Sequence, residues 1–212
     1  RLAWRDHFAQ KLEDAPFIEQ RAIHPAFDGL RPETPNQSAL DAFTAGRTGY
    51  PMVDAVVRSL AATGWTTFRM RSMVTSFASY DLWLPWQTTG GVLARWFTDY
   101  DPGIHWPQIQ MQSGVTGMNA LRIYDPVKQQ LDQDPQGVFV RRWIPELRDV
   151  PDDLLATPWL VEPKQRHDYP DPIVDHAAAA AQAKRRISAV RQRIRGDGST
   201  RALLERHGSR RP

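Results

Sequence analysis

The stretch that decides the fold is residues 46–65, GRTGYPMVDAVVRSLAATGW. Pro51 suits the first position of a helix, and Gly64 is typical of the residue that ends one. Between them, apolar residues recur at helical spacing, which predicts an amphipathic helix. A second helix is predicted immediately afterwards, over residues 68–84, and Pro85 would end it. The stretch therefore predicts two consecutive helices joined at a glycine.

The rest of the chain shows the same helical periodicity and no convincing period-two alternation. Thr66 or Thr67 would cap the helix over 68–84, and Ser38 would cap a short helix over 38–46. Further helices are predicted at 2–12, 92–99, 138–147, 151–160 and 173–195, and irregular structure at 13–37 and 102–127. No strand–helix–strand order and no internal repeat is visible, so the predicted fold class is all-α.

The composition excludes several classes of protein. Of the 212 residues, 41% are hydrophobic and 24% charged, which is typical of a globular protein. No cysteine is present, so disulfides, thiolate catalysis and zinc–cysteine sites are excluded within this sequence. No apolar run is long enough to span a bilayer and no signal peptide opens the sequence, which predicts cytoplasmic localisation and no membrane partner. Because the sequence begins at Arg1 inside a predicted helix, we expect it to be part of a longer protein.

The positive charge is concentrated at the C-terminal end. Residues 184–212 contain ten Lys/Arg and two acidic residues, a net charge of +8, whereas residues 1–183 carry a net charge of −5. Two interpretations of this basic tail remain open. It binds nucleic acid through its charge, or it is the solvated end of a helix.

Arg69 and Arg71 stand among the apolar residues of the second helix. A buried guanidinium is costly unless an anion meets it, and Asp99 and Asp101 are candidate partners. Because both carboxylates follow a predicted helix, whose C-terminal end disfavours negative charge, they are either solvated surface groups or ligands of Arg71 and of a bound molecule. Arg69 would point to another face, toward solvent or DNA. The six histidines show no metal-ligand spacing, so no metal site is predicted.

Several motifs occur in the order and at the spacing of one known family. They are LAWR (2–5), GRTGYPMVDA (46–55), TGW (63–65), RMR (69–71), SF (76–77), LPW (84–86), DYD (99–101), RIYDP (122–126) and VRRWIPEL (140–147). With them, the chain resembles the C-terminal helical FAD-binding domain of the DNA photolyase and cryptochrome family, truncated on its N-terminal side. The match covers residues 1–176, and the alanine-rich helix and basic tail at 177–212 lie outside it.

The resemblance implies a U-shaped FAD inside a helical cavity. Arg71 would pair with Asp99 beside the flavin ring, and Asp101 would bind the ring edge or the ribityl chain. His105 would lie opposite the flavin N5, as a residue of the reaction centre. The other positions implied to line the cofactor pocket are Arg5, Trp65, Phe68 and Pro102.

The resemblance also implies an activity. In the family, a light-excited reduced flavin passes an electron to a pyrimidine dimer flipped out of DNA, and the dimer splits. The positions that match the lesion cleft are Trp4, Arg69, Met111 and Arg122. Two alternatives remain: a cryptochrome-like photoreceptor that signals through a partner without repair, and a flavin-binding relic with no light chemistry. The N-terminal antenna domain of the family and its serine- and threonine-rich FAD phosphate loop would precede Arg1.

Several positions depart from the family pattern around the lesion and the flavin. Arg1 stands where enzymes that split cyclobutane dimers usually have a glutamate, and Met111 stands where they have a second tryptophan. Phe68 and Ser72 replace a usual asparagine and methionine, and His105 replaces an asparagine. These changes put repair of cyclobutane dimers in doubt and leave flavin binding untouched. They are typical of a divergent bacterial subgroup.

The electron path that reduces the flavin also departs from the family pattern. The family commonly uses three tryptophans, of which only Trp86 matches, while Ile109 and Glu33 occupy the other two positions. Trp86 is therefore predicted to take part in electron transfer. Two interpretations remain open: Trp83, Trp96 or Trp106 forms a substitute path, or the flavin is photoreduced poorly.

Overall fold

The computed structural model describes residues 2–196 and 198–208. Every regular element in that part of the chain is helical, and no strand occurs there, which confirms the all-α prediction. The α-helices are α1 (Leu2–Asp14), α2 (Gln37–Thr44), α3 (Pro51–Thr63), α4 (Phe68–Ser76), α5 (Trp86–Trp96), α6 (Pro102–Gln112), α7 (Pro126–Gln133), α8 (Val138–Trp143), α9 (His176–Arg193) and α10 (Ser199–His207). Short 3-10 turns, each beginning at a proline, occur between them.

Helix α3 lies in the main core and matches its prediction. It begins at Pro51, and Gly64 follows its last residue with a φ of +73°, a conformation that glycine adopts easily. The loop before it is held by Asp54, whose buried carboxylate accepts hydrogen bonds from the backbone N–H groups of residues 48–49. The Tyr169 hydroxyl donates to the same carboxylate at 2.5 Å. The loop and a distant part of the chain are thereby fixed to the start of α3.

The second predicted helix is shorter than expected. Thr67 caps α4 as predicted, because its hydroxyl oxygen accepts a hydrogen bond from the backbone N–H three residues later. The chain then forms one turn of π-helix, Phe77–Asp81, instead of continuing to Leu84. Trp83 has a φ of +52°, so the chain leaves the helix before it reaches Pro85. The sequence pattern carried no signal for this early ending.

The predicted start of α5 and the predicted cap of α2 were also wrong, and one helix was missed. Helix α5 begins at Trp86, so the glycine pair at 90–91 lies inside the helix and not before it. Asn36, not Ser38, caps α2, because the Asn36 side-chain oxygen accepts from a backbone N–H of the first turn. Helix α7 was not predicted. The predicted helices at 138–147, 151–160 and 173–195 are observed as α8 with a 3-10 turn, as turns with a 3-10 segment, and as α9.

The largest correction concerns residues 102–127, which the sequence predicts to be irregular and of which the first eleven form α6. Asp101 caps this helix, since its Oδ1 accepts from two backbone N–H groups of the first turn at 2.9 and 3.4 Å. Gly103 allows α6 to approach α1 closely, because a Cβ at this position would lie 3.2 Å from the Cα of Ala9. Pro107 lies inside the helix. A glycine needed for packing and a proline inside the helix thus concealed its periodicity.

The two C-terminal helices pack back onto the body of the protein. Helix α9 packs against the π-helical turn, and the His176 Nδ1 lies 2.5 Å from the Asp81 Oδ1. Helix α10 is attached to the end of α1, because the Arg206 Nη2 donates to the Asp14 carbonyl at 2.6 Å. Within the described ranges, none of the helices combines the length and apolar character needed to cross a membrane.

Candidate functional site

A half-open cavity of about 470 Å³ lies between α1, α4 and α6, with residues 97–101 forming a further wall. Its lining is largely apolar and aromatic. Trp65 and Phe68 are 56% and 64% exposed at its rim. The predicted cofactor-binding residues that line it are Arg5, Trp65, Phe68, Arg71, Asp99, Asp101 and His105. Pro102 is not among the lining residues, although it directly follows Asp101 as the first residue of α6.

Arg71 is fixed at the wall of this cavity by contacts on three sides. Its Nε donates to the Thr66 carbonyl at 3.1 Å, and its Nη2 donates to the two carboxylate oxygens of Asp99 at 2.9 and 2.8 Å. The guanidinium lies 4.1 Å from the ring centroid of Phe97. The predicted ion pair between Arg71 and Asp99 is therefore present. Because the two side chains remain 26% and 51% exposed, the pair contributes less than about 1 kcal/mol to the free energy of unfolding.

Asp101 lies in a more favourable electrostatic position than its sequence context predicts. Helix α5 ends at Trp96, and Asp101 stands at the N-terminal end of α6, where the helix dipole favours a carboxylate. The prediction that it follows a helix end was wrong, because α6 was missed. Its Oδ1 caps α6, and its Oδ2 accepts no hydrogen bond from the described residues. One carboxylate oxygen therefore remains available beside the cavity.

His105 is a buried, neutral imidazole in the same cavity wall. Burial, together with the charge of Arg71, lowers its pKa to about 4. The His105 Nε2 lies 2.9 Å from the carbonyl oxygen of Gly90. Because a carbonyl oxygen can only accept, the Nε2 carries the hydrogen and donates. The Nδ1 of the neutral ring then carries a lone pair and acts as an acceptor.

A second cavity, of about 490 Å³, adjoins the first. Its walls come from α1, α6 and α10, and it shares Trp4, Phe8 and Gln108 with the first cavity. Met111 lines only the second cavity. Two residues predicted from the resemblance to contact the lesion, Trp4 and Met111, are thus brought to one place. Trp4 is 55% exposed there.

The other predicted residues lie elsewhere. Arg69 and Arg122 are exposed and line neither cavity, and they stand on α4 and on the segment before α7. Trp86 is buried and also lines neither of the two cavities. Arg1 lies outside the described residues. In the described part of the chain, no group of three His, Asp or Glu residues is placed to hold a metal ion.

The buried Trp86 contacts one of the tryptophans predicted for a substitute electron path. Its ring centroid lies 6.0 Å from that of Trp106, and the Trp106 Nε1 donates to the Tyr100 hydroxyl at 3.2 Å. Tyr100 lines the first cavity. The ring of Trp83 instead packs against two arginine side chains, and Trp96 packs against the main core. An electron-transfer role for Trp86 stays a prediction.

Sequence reasoning missed a set of residues that line the first cavity from α6 and its surroundings. On α6 they recur at helical spacing and face one side of the helix. The missed residues are Phe8, Thr66, Thr75, Tyr100, Ile104, Gln108 and Gln112. Ile104, His105 and Gln108 follow Asp101 at spacings of three, four and seven residues, which is typical of one face of a helix. This signal was usable, but Pro107 inside the segment masked it.

An all-helical fold around a half-open aromatic cavity defines a helical cofactor-binding domain. The chain belongs to the family of FAD-binding domains of DNA photolyase, whose family model, described as "FAD binding domain of DNA photolyase", matches residues 1–189. This confirms the resemblance read from the sequence motifs. The matched residues include most of α9, beyond the limit at residue 176 that the motifs indicated.

Individual relatives agree with this assignment. The chain is 33% identical over 187 residues to a deoxyribodipyrimidine photo-lyase of Alkalihalophilus pseudofirmus, covering 83% of this chain and 39% of the relative. It is 33% identical over 200 residues to a cryptochrome DASH of Gloeobacter violaceus, covering 85% and 38%. An archaeal photolyase from Sulfolobus tokodaii, solved with two FAD molecules, superposes with a TM-score of 0.82 at 30% identity, covering 89% and 43%. The chain thus spans about two fifths of the length of these proteins.

Proposed function

We propose that this chain is the FAD-binding part of a blue-light-dependent DNA repair flavoprotein, a photolyase-type lyase acting on a pyrimidine photoproduct. The family assignment supports the cofactor. The observation that carries the proposal is the pair of adjoining cavities, which share Trp4, Phe8 and Gln108 as a common wall. Such a wall allows a flavin and a second aromatic ligand to lie next to each other, as electron transfer between them requires.

The residues of the first cavity fit an isoalloxazine ring. The exposed faces of Trp65 and Phe68 at the rim are apolar surface that a planar ring would cover. Arg71, fixed by Asp99, offers a cation to the polar side of such a ring, and the open Oδ2 of Asp101 offers an acceptor. When bound, FAD in its reduced, light-excited form supplies the electron for splitting the photoproduct.

His105 has a defined protonation state for its role beside the flavin N5. Its Nε2 holds a hydrogen against the Gly90 carbonyl, and its Nδ1 is left as an acceptor. The low pKa keeps this arrangement throughout the neutral range. We infer that His105 receives a hydrogen bond from a bound flavin and does not donate one.

A direct experiment combines flavin binding with repair. FAD affinity is measured by flavin fluorescence on the purified chain. Duplexes that carry one cyclobutane dimer or one six-four photoproduct are then illuminated with blue light in the presence of FAD and a chemical reductant. We expect light-dependent loss of one of the two lesions and none in the dark. If flavin binds and neither lesion is repaired, the lyase proposal is wrong.

A cryptochrome-like photoreceptor is the second candidate. Met111 in place of a lesion-stacking tryptophan favours it, as do Ile109 and Glu33 at the two electron-path positions. Under this proposal the basic tail contacts a signalling partner. In either case we infer an intracellular protein with an N-terminal antenna domain, in which residues 1–176 form the flavin-binding part and residues 177–212 are an alanine-rich helix and basic tail. Flavin binding with preserved photochemistry and no preference for damaged DNA would support the photoreceptor.

A further inference from the structure

A third cavity, of about 490 Å³, lies between residues 27–33 and the start of α5. It shares no lining residue with the first or the second cavity. Two of its lining residues, Trp86 and Glu33, stand at positions where the family has tryptophans of the electron path. A cavity of this size accommodates a small organic molecule.

Aromatic contacts connect this third cavity to the first one. Trp86 is only 3% exposed, and its ring centroid lies 6.0 Å from that of Trp106 on α6. Gly90 leaves room for this contact, since a Cβ there would lie 2.5 Å from the Trp106 Cζ3. The Trp106 ring centroid lies 5.0 Å from that of His105, and its Nε1 donates to the Tyr100 hydroxyl at 3.2 Å. Both of these partners line the first cavity.

The other two tryptophans considered for a substitute path are placed less favourably. The guanidinium groups of Arg31 and Arg186 lie 4.5 and 4.7 Å from the Trp83 ring centroid. An indole that loses an electron becomes positively charged, and two neighbouring cations disfavour that charge. In the described part of the chain, only Trp106 of the three candidates forms a ring contact with Trp86.

Glu33 gives the third cavity a carboxylate without a partner. Arg21 and Asp28 pair with each other at 3.4 Å, and the buried guanidinium of Arg31 donates to two backbone carbonyls. Glu33 is exposed, and it forms no hydrogen bond or ion pair with the described residues. One proton acceptor is therefore available at the cavity.

The rest of the lining indicates the chemical class of the ligand. Much of it is apolar and comes from Phe27, Leu30, Pro32, Pro85 and the Trp86 indole. An aromatic ring packs well on such side chains, and a phenolic hydroxyl group donates a hydrogen bond to a carboxylate. Phenols are also one-electron donors. The lining therefore fits a phenol better than it fits a charged reductant.

We propose that the third cavity binds a small phenolic electron donor of the dihydroxybenzene class, which reduces Trp86. An electron that leaves Trp86 through Trp106 toward the first cavity leaves an indole radical cation. The phenol gives one electron to this indole and the proton of its hydroxyl group to the Glu33 carboxylate. Neutral Trp86, a protonated Glu33 and a neutral phenoxyl radical result, so charge and atoms balance. The inference rests on the proposed function, because it needs a light-excited flavin in the first cavity as the oxidant.

Donor binding is tested first on the purified chain without flavin. Fluorine NMR is recorded on protein labelled with fluorotryptophan, hydroquinone is the probe, and Trp86→Phe assigns the Trp86 signal. We expect hydroquinone to shift this signal until it saturates. The signal of Trp159, which lines none of the three cavities, should not move. A Trp86 signal that hydroquinone leaves unchanged would overturn the proposal.

The second measurement is the rate at which blue light reduces bound FAD, as a function of hydroquinone concentration. A donor that binds before it reacts gives a rate that saturates, whereas a donor that reacts by collision gives a linear dependence. Glu33→Gln keeps the size of the side chain and removes the proton acceptor, so the saturated rate should fall about tenfold or more. A linear dependence in the wild type would contradict the docking site.

Glu162→Gln is the matched control, because Glu162 is an exposed glutamate that lines none of the three cavities. It should reduce FAD at the wild-type rate, and an equal rate for Glu33→Gln would overturn the proposal. Repair by chemically reduced FAD does not use this path and should be the same in both variants. If repair persists and no donor site is found, the inference is wrong and the proposed function stands. Saturable photoreduction without repair of either lesion would contradict the proposed function and support the donor site.

Discussion

At the scale of single residues, Asp99 orients Arg71 more than it stabilises the fold. The pair is half-exposed, so we expect Asp99→Asn to change the free energy of unfolding by less than about 1 kcal/mol. FAD affinity should fall about tenfold or more, because the guanidinium loses the carboxylate charge and one of the two acceptor oxygens that fix it at the cavity wall. Urea unfolding and flavin fluorescence titration measure the two quantities separately.

Asp132→Asn is the control for this substitution. Asp132 forms an exposed ion pair with Lys128 on α7, and it does not line the flavin cavity. Removing it should have a similarly small effect on stability and no effect on FAD affinity. Equal FAD affinities for the Asp99 and Asp132 variants would show that Asp99 does not position a flavin-binding group.

His105 should make the protein less stable at acid pH. Its pKa is lowered to about 4 in the folded protein from 6.5, so the unfolded chain binds the proton more readily. This contribution to stability is complete above pH 6.5 and is lost as the pH falls toward 4. Between pH 7 and pH 5 the wild type should lose about 2 kcal/mol more than His105→Asn. Urea unfolding at the two pH values measures the difference, and parallel losses would contradict it.

At the scale of elements, Gly90 determines how closely α5 and α6 pack. A Cβ at this position would lie 2.5 Å from the Cζ3 of Trp106, and the Gly90 carbonyl accepts the hydrogen bond from His105. We expect Gly90→Ala to separate the two helices and to cost about 1–3 kcal/mol of unfolding free energy, as overpacking does. Flavin affinity should fall with it, since His105 is displaced.

The neighbouring Gly91 provides a matched control in the same helix. A Cβ there meets no atom within 4 Å. Gly91→Ala should therefore stabilise the protein by about 0.5–1 kcal/mol, because alanine favours the helix over the unfolded chain. If the two alanine variants have equal stability, close packing at Gly90 is not the reason for its glycine.

The stability contributed by His176 at the start of α9 should depend on pH in the opposite direction to that of His105. Burial alone lowers the pKa of His176, but the hydrogen bond and charge of Asp81, together with Asp125 and Asp175, outweigh it and raise the pKa above 6.5. A raised pKa stabilises the fold below pH 6.5 and loses this effect as the pH rises through the folded value. We expect the wild type to lose more stability than His176→Gln between pH 6 and pH 8.5. Urea unfolding across this range tests the sign.

At the scale of the whole molecule, the basic C-terminal segment is separated from an acidic body. If α9 contacts DNA phosphates, the double variant Lys184→Gln and Arg185→Gln should reduce the slope of log affinity against log salt by about 0.9 for each lost contact. Both residues are exposed on α9. Binding to an undamaged duplex at several salt concentrations gives the slope. An unchanged slope would identify these cations as solvated.

Much of the fold was predictable because its main helices carry local signals. In α3, Pro51 indicates the start of the helix, Gly64 indicates its end, and an apolar stripe lies between them. The structure agrees with all three signals. Helix α6 was not predictable in this way, because Pro107 lies inside it and Gly103 is explained by its close approach to α1, a helix distant in sequence. The formation of α6 depends on tertiary contacts between α1 and α6, which no local sequence pattern encodes.

The candidate site was predictable where it consists of single charged or aromatic residues that stand in recognisable motifs. Arg71, Asp99 and Asp101 meet at one cavity, as the sequence motifs indicated. The contribution of α10 to the second cavity was not predictable, because it depends on residues that are far apart in the sequence.

Helix α6 contributes residues to both cavities, and its Gln108 lies in their common wall. A ligand in one cavity that shifts this wall changes the affinity of the other cavity, and such an effect is reciprocal. If flavin raises the affinity for an extruded nucleotide by some factor, the nucleotide must raise the affinity for flavin by the same factor. Under the proposed function, damaged DNA bound in the second cavity would then tighten the binding of FAD in the first.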